Sequence, residues 1–429
     1  MHWEESFGYA GVFGNVADLV GGVASPAARP PALPMLPVIS TALLLLIPLA
    51  AAALALMNAG LGRSRSAAHA MLASLLVAGV AMLVYAACGF SWQGFPGRAS
   101  NPWIGAEPLL MRAVRFDGSL VACLQMFAVA VAALIPLGAG NDRWRMGASC
   151  ASTALLAGWT YPVFAHWAYS GWLARLGYLD TGGAGTIQAV GGVTALAIAT
   201  ILGPRRGKYV AGGMPAAIPG HNMVLVLFGC FLAWIGWIGL NGSGALRYGG
   251  AAVVTAVAIN TTLTASAAAL AAAAITRVRF GRPDASLCAN GWTGGLVASS
   301  AACAAMAPAA AIVVGAIAGA LVMFSVEWLD VRFAVDDPAG SISVHAVGGI
   351  CGLVLAGVLG YAPMLGQLAG VTALILIVLP VTYGLNRLLN RFYPQRVAAE
   401  GEADGMDLNE LGAEAYPEFI TRREGSRQR

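Results

Sequence analysis

Thr186-Ile187-Gln188-Ala189-Val190-Gly191-Gly192-Val193 returns 157 residues later as Ser343-Val344-His345-Ala346-Val347-Gly348-Gly349-Ile350. Each copy sets an amide or imidazole side chain, Gln188 or His345, inside an apolar run. Each is followed fifteen residues later by a glycine, Gly203 or Gly360. Matched polar residues in two membrane-length segments are the signature of an internally duplicated transporter or channel, whose path lies where the repeats meet.

Composition places the chain in a bilayer. Of its 429 residues 58% are hydrophobic and only 10% charged, with a mean hydropathy of +0.73, whereas soluble domains carry about 25% charged residues. Apolar runs of spanning length predict an all-α polytopic membrane protein. Eleven transmembrane helices are expected near 36–58, 68–90, 119–140, 147–170, 184–203, 222–241, 250–276, 286–306, 308–328, 341–360 and 368–389. The break between the eighth and ninth is set at Met306-Ala307-Pro308, since proline disfavours a continuous helix.

Eighteen of the 24 Lys and Arg residues follow odd-numbered spans. Six fall on the other face: Arg29, Arg98, Arg112, Arg115, Arg175 and Arg247. The positive-inside rule then puts the N-terminus outside and the C-terminus in the cytoplasm. Residues 1–35 read as an extracytoplasmic tail without a signal-peptide pattern, 36–390 as the membrane domain, and 391–429 as a cytoplasmic tail. The formal charge of +4 reflects this topology and no nucleic-acid partner. The seven cysteines lie in or beside spans and form no CxxC pair, so they read as small buried apolar residues.

If Gln188 in span five matches His345 in span ten, the repeat unit is five spans, about 36–203 and 222–360. An odd count inverts the second half relative to the first, and the helix at 368–389 is an extra one. Gly191, Gly192, Gly348 and Gly349 let spans five and ten approach closely.

Several segments resemble the ammonium transporter (Amt/Mep/Rh) family, from about residue 36 to 418. They include Ser40-Thr41-Ala42-Leu43, Gly60-Leu61-Gly62-Arg63, Ala165-His166-Trp167, Gly171-Trp172-Leu173-Ala174 and His221-Asn222-Met223. Gly236-Trp237-Ile238-Gly239-Leu240-Asn241 and the tail motif Gly405-Met406-Asp407-Leu408-Asn409-Glu410-Leu411-Gly412 belong to the same set. Leu179-Asp180 and Val335-Asp336-Asp337-Pro338 precede the two repeat copies as in the family. The resemblance implies a homotrimer with one narrow apolar pore per subunit, an outer cation vestibule, a phenylalanine gate and two facing pore histidines. Carried onto this chain, Gln188 and His345 line the pore, and Phe127 and Leu240 form the gate. Tyr169, Trp237, Ser243 and Asp180 shape the outer vestibule, and Asn241 is a pore or structural residue. No metal, cofactor or catalytic residue is implied.

The chain departs from the family in the pore. Gln188 replaces the first histidine, Leu240 the second gate phenylalanine, Tyr169 the vestibule tryptophan, Gly244 the vestibule serine, and Gly340 an acidic residue. An amide donates and accepts hydrogen bonds but does not titrate near neutrality, so Gln188 takes up no proton, although it can bond His345 and fix its tautomer. Read without the resemblance, Asp180 is a cap for the fifth span, and His69 and His221 are interfacial. Residues Glu400–Asp407 read as a solvated acidic stretch, with Leu408–Tyr416 after them contacting neighbouring subunits.

The expected function is ammonium or ammonia transport across a plasma or inner membrane of a bacterium, with a P-II-type cytoplasmic regulator implied by the tail. The alternatives are a poorly conducting ammonium sensor or a pore for carbon dioxide or methylamine. An enzyme is not expected, since the chain shows no metal-ligand spacing, nucleophile–base pair or phosphate loop.

Overall fold

The computed structural model describes residues 35–97, 101–115, 118–209, 214–246 and 252–417. The expected N-terminal tail, Arg98, Arg247 and the last twelve residues lie outside them. Among the described residues the fold is all helical, with one isolated bridge between Trp144 and Arg396 in place of any strand.

The helices are α1 (Met35–Leu61), α2 (Ser64–Gln93), α3 (Ser119–Gly140), α4 (146–169), α5 (Ala184–Leu202), α6 (Met223–Ala245), α7 (Val253–Phe280), α8 (Ala285–Ser299), α9 (Pro308–Arg332), α10 (Ile342–Val358) and α11 (Met364–Phe392). Among the described residues α1, α2, α3, α5, α6, α7, α9 and α11 are each long and apolar enough to cross a bilayer. Helix α4 holds a π turn at Leu156–Thr160. Helix α8 ends at Ser299, earlier than expected. The chain then runs through turns to Pro308, so the break foreseen at Met306-Ala307-Pro308 is several residues wide.

The packing repeats itself. Helix α3 packs on α1, α2 and α5, and α8 packs in the same way on α6, α7 and α10. Helix α1 against α6 and α5 against α10 join the halves. Glycine makes the central contact possible. A Cβ on Gly192 would stand 2.2 Å from the Ala346 nitrogen, and one on Gly349 3.4 Å from the Ala189 Cβ and 2.4 Å from the Ala184 oxygen. Gly192 and Gly349 are repeat mates, as are Ala346 and Ala189, so one contact is seen from both sides. Gly191 packs instead on α3, against Ala132 and Ile135.

One end of the molecule is tied by buried charge. Arg143, fully buried, donates to the main-chain oxygens of Gly203, Asn141 and Asp336. Burial pushes its guanidinium down to about 10, so it stays charged at neutral pH. Arg205 donates to Asp336 at 2.9 and 3.0 Å and to Asp142 at 3.0 Å. Burial pushes the Asp336 carboxyl up, but the Arg205 hydrogen bonds and charge outweigh that and hold it below the usual range. The Arg63 amide also donates to Asp142. The loops after α1, α3 and α5 and the segment before α10 thus meet at one face.

The tail docks on this face, which corrects the expectation of a solvated run. Asp407 is fully buried and Glu402 nearly so. Asp407 accepts from the Ala68 and His69 amides at the start of α2, and Glu410 accepts from the Met146 amide at the start of α4. Helix starts leave such amides unpaired within the helix. The Nε2–H of His69 donates to Glu410 at 3.0 Å, and His221 lies 3.1 Å from the Tyr416 hydroxyl. Both histidines are therefore tail contacts of their own chain.

Candidate pore and outer vestibule

The two repeat copies start alike. Asp180 stands eight residues before Gln188, and Asp337 eight before His345. Asp180 Oδ2 accepts from the Gly185 and Thr186 amides at 3.1 and 2.8 Å, while Asp337 accepts from the Ser341 and Ile342 amides at 3.0 and 2.7 Å. A left-handed glycine follows each, Gly183 (φ +90°) and Gly340 (φ +70°). A π turn comes next, Ala184–Ala189 or Ile342–Val347, and carries the polar residue. The sequence reading missed Asp337 as the mate of Asp180, although the shared spacing was there to be read. Gly340 also has a backbone reason: a side chain there would be strained and would meet Asn290.

The repeats cross at Gln188 and His345, both buried. His345 Nδ1 lies 2.7 Å from Gln188 Oε1. An amide oxygen only accepts, so Nδ1 carries the hydrogen and Nε2 of the neutral ring is left as an acceptor. The Gln188 amide nitrogen, a donor, has no partner among the described residues. The pair thus offers one free donor and one free acceptor at the centre of the protein.

Between the N-terminal end of α3 and the C-terminal end of α6 lies a small pocket. Leu124, Gln125 and Ala128 line it from α3, Leu240 and Gly244 from α6, and Tyr169, Thr181, Gly182 and Ile187 complete it. Ile187 precedes Gln188, so the cavity floor adjoins the central pair.

The structure brings Tyr169 and Leu240 to this cavity but not every residue expected there. Phe127 is half-buried against the core and is not among the lining residues. Leu124 and Ala128, one turn apart, present the cavity face, and Phe127 is about 100° round the helix from Ala128. Trp237 is fully buried. It shares the face of Gly244 but lies seven residues, about 10 Å, deeper along α6. Ser243 is turned off that face, and its buried hydroxyl has no partner among the described residues. Asn241 donates to the Thr261 and Ser299 hydroxyls at 2.9 and 3.1 Å, tying α6 to α7 and α8. Asp180 is 1% exposed and reaches the cavity through other side chains. Gln125, which accepts from the Tyr161 hydroxyl at 3.0 Å, was missed. A polar residue inside the apolar run of α3 is the signal that marked it.

Comparison with known proteins agrees with this geometry. The model of the Ammonium Transporter Family matches residues 37–416. The chain is 33% identical over 409 residues to ammonium transporter Amt2 of Archaeoglobus fulgidus, covering 86% of this chain and 85% of that one. It is 29% identical to an ammonium transporter of Bacillus subtilis, covering 88% and 97%. Among solved structures, a sensor Amt protein superposes with a TM-score of 0.81 at 27% identity, covering 87% of this chain and 97% of its own. Mep2 of Saccharomyces cerevisiae has the same fold, with a TM-score of 0.72 at 24% identity. With a family model that matches nearly all of it and a relative 33% identical over most of its length, the chain belongs to the ammonium transporter family.

Proposed function

We infer that the protein carries ammonium across a cell membrane of a bacterium, taking the cation at the outer cavity and passing it inward as the neutral molecule. The observation that carries this reading is the 2.7 Å bond between His345 and Gln188 beneath the cavity. Leu124 and Leu240 form the apolar constriction above the pair. A full charge crosses such a constriction only at high cost, whereas ammonia does not carry one. Ammonia can then accept from the Gln188 amide nitrogen and donate to His345 Nε2. Gln188 cannot take a proton, so the cation gives up its proton before the pair or to His345 alone.

All eleven long helical runs cross the bilayer in this reading, with the N-terminus outside and the face of Arg143, Asp336 and the docked tail in the cytoplasm. The subunit works as a homotrimer, and a P-II-type protein is the regulator that the tail would meet. The test is growth on limiting ammonium at low external pH in a strain without its own ammonium transporters. The native chain is expected to restore growth and His345→Ala to abolish it at equal surface expression.

The resemblance to a sensor Amt protein and the glutamine at position 188 favour a second reading, a sensor that binds ammonium and conducts poorly. Restoration of growth only by Gln188→His would select that reading.

A further inference from the structure

The last turns of α11 present two positive charges side by side. Arg387 and Arg391, one turn apart, are exposed, and among the described residues neither guanidinium has a hydrogen bond or an ion pair. By contrast Arg205, Arg279 and Arg396 each bond a carboxylate. The opposite side of the same turns is fixed. Thr382 and Asn386 are buried there. Gln395 Nε2 donates to the Asn386 oxygen, and the Trp144 indole donates to Gln395 Oε1. The two arginines therefore stand on a rigid backing.

A helical stripe runs from them into the membrane. Arg391, Arg387, Tyr383, Pro380 and Leu376 are all exposed and lie within about 80° of arc over about 22 Å of helix. From the end of the helix inward, the stripe passes from charge through a phenol to apolar carbon. A phospholipid in one leaflet has the same order of phosphate, ester and acyl chain, and half of the hydrocarbon core is about 15 Å deep. Each guanidinium offers a planar fork of donors that matches phosphate oxygens, and tyrosine favours the headgroup level.

We propose that Arg387 and Arg391 hold the phosphate of an anionic phospholipid of the cytoplasmic leaflet, with Tyr383 at its ester level and its chain along Leu376. Two unanswered positive charges favour a lipid with net negative charge and repel the ammonium of a zwitterionic one. The lipid sits at the root of the docked tail. Arg396, a few residues beyond α11, donates to the Leu202 oxygen and to Glu402. A lipid held on the last turn of α11 thus steadies the point from which the tail sets out. The cytoplasmic placement follows the orientation inferred above.

The full-length protein in a neutral detergent would be titrated with phosphatidylglycerol, and the bound lipid counted by native mass spectrometry. One arginine beside an anionic lipid corresponds to about a fivefold change in affinity. Arg387→Gln or Arg391→Gln is expected to raise the half-saturation of the tightest lipid by about fivefold, and the two together by about 25-fold. Arg332→Gln, which changes an exposed arginine at the end of α9, should leave it unchanged. Phosphatidylcholine with the same chains should bind weakly and alike to all variants. Native-like phosphatidylglycerol binding by the double variant would overturn the site, as would a native protein that binds none. An equal loss in Arg332→Gln would reduce the effect to a general attraction of positive charge and overturn it too. Displacement of the lipid by inorganic phosphate would give the arginines to the free anion and overturn the assignment to lipid. The measurement involves no transport, so it stands whether or not the protein conducts ammonium.

Discussion

Gly192→Ala tests whether the two repeats are interlocked at their centre. The added Cβ would stand 2.2 Å from the Ala346 nitrogen and 2.7 Å from its Cα. Carbon needs about 3.5 Å from such neighbours, and the opposing atoms are main chain, which no side-chain rotation moves. Helix α5 must therefore withdraw from α10 by more than about 1 Å. Gln188 lies one turn from Gly192, and His345 adjoins Ala346. The same withdrawal would stretch their 2.7 Å bond to about 3.7 Å or more, beyond hydrogen-bond range. Overpacking costs about 1–3 kcal/mol and the lost bond about 1 kcal/mol, so the expected penalty is about 2–4 kcal/mol. Thermal unfolding of the purified protein and ammonium uptake into proteoliposomes should both report it. Gly349→Ala, which meets the Ala184 oxygen at 2.4 Å, should behave alike. Gly79→Ala, with nothing within 4 Å of its Cβ, should be neutral in both assays. Wild-type melting and uptake by Gly192→Ala would refute the interlock.

Other perturbations act away from the centre. Asp336→Ala leaves Arg143 and Arg205 without their shared carboxylate in a buried site and should cost about 3–5 kcal/mol, read as a large fall in the melting temperature. Asp407→Ala removes the acceptor of two amides at the start of α2 and should cost about 1–2 kcal/mol by the same measurement. Burial pushes the Glu410 carboxyl up, but hydrogen bonds from His69 and the Met146 amide, with the charge of Arg145, outweigh it and hold it below the usual range. A carboxyl lowered on folding stabilises above its unfolded pKa and loses that contribution as pH falls through the folded value. The native protein should therefore lose more melting temperature between pH 7 and pH 4 than Glu410→Gln, and parallel curves would exclude the bond's contribution. Gln188→Ala removes the acceptor that fixes the His345 tautomer and should slow ammonium uptake severalfold with little change in methylammonium binding at the outer cavity.

The parts of the fold that repeat were the parts most legible in the sequence. Composition and apolar length foretold the helices, and the copied eight-residue segment located the crossing of α5 and α10, down to the bond between Gln188 and His345. Residues whose role depends on rotation about a helix were less legible. Phe127 aligned with a gate, yet Leu124 and Ala128 face the cavity, because one residue of offset turns a side chain by about 100°. Trp237 is fully buried and does not line the pocket, about two turns along α6 from Gly244, which does. The tail was misread because its acidic residues look solvated in isolation. Their partners, amides at the starts of α2 and α4, lie hundreds of residues away and have no sequence signature. Asp337 was legible and overlooked, since the eight-residue spacing to His345 repeats that from Asp180 to Gln188.

The docked tail has a consequence for biosynthesis. Asp407 reaches the amide of His69 across 338 residues, and Glu410 reaches that of Met146 across 264. During translation the second and fourth helices are made long before the groups that finish their ends exist. Those amides must be served by water until residues 407–410 are made. Completion of these two helix starts thus waits on a segment made hundreds of residues later. A chain that lacked this segment would leave both helix starts open to water.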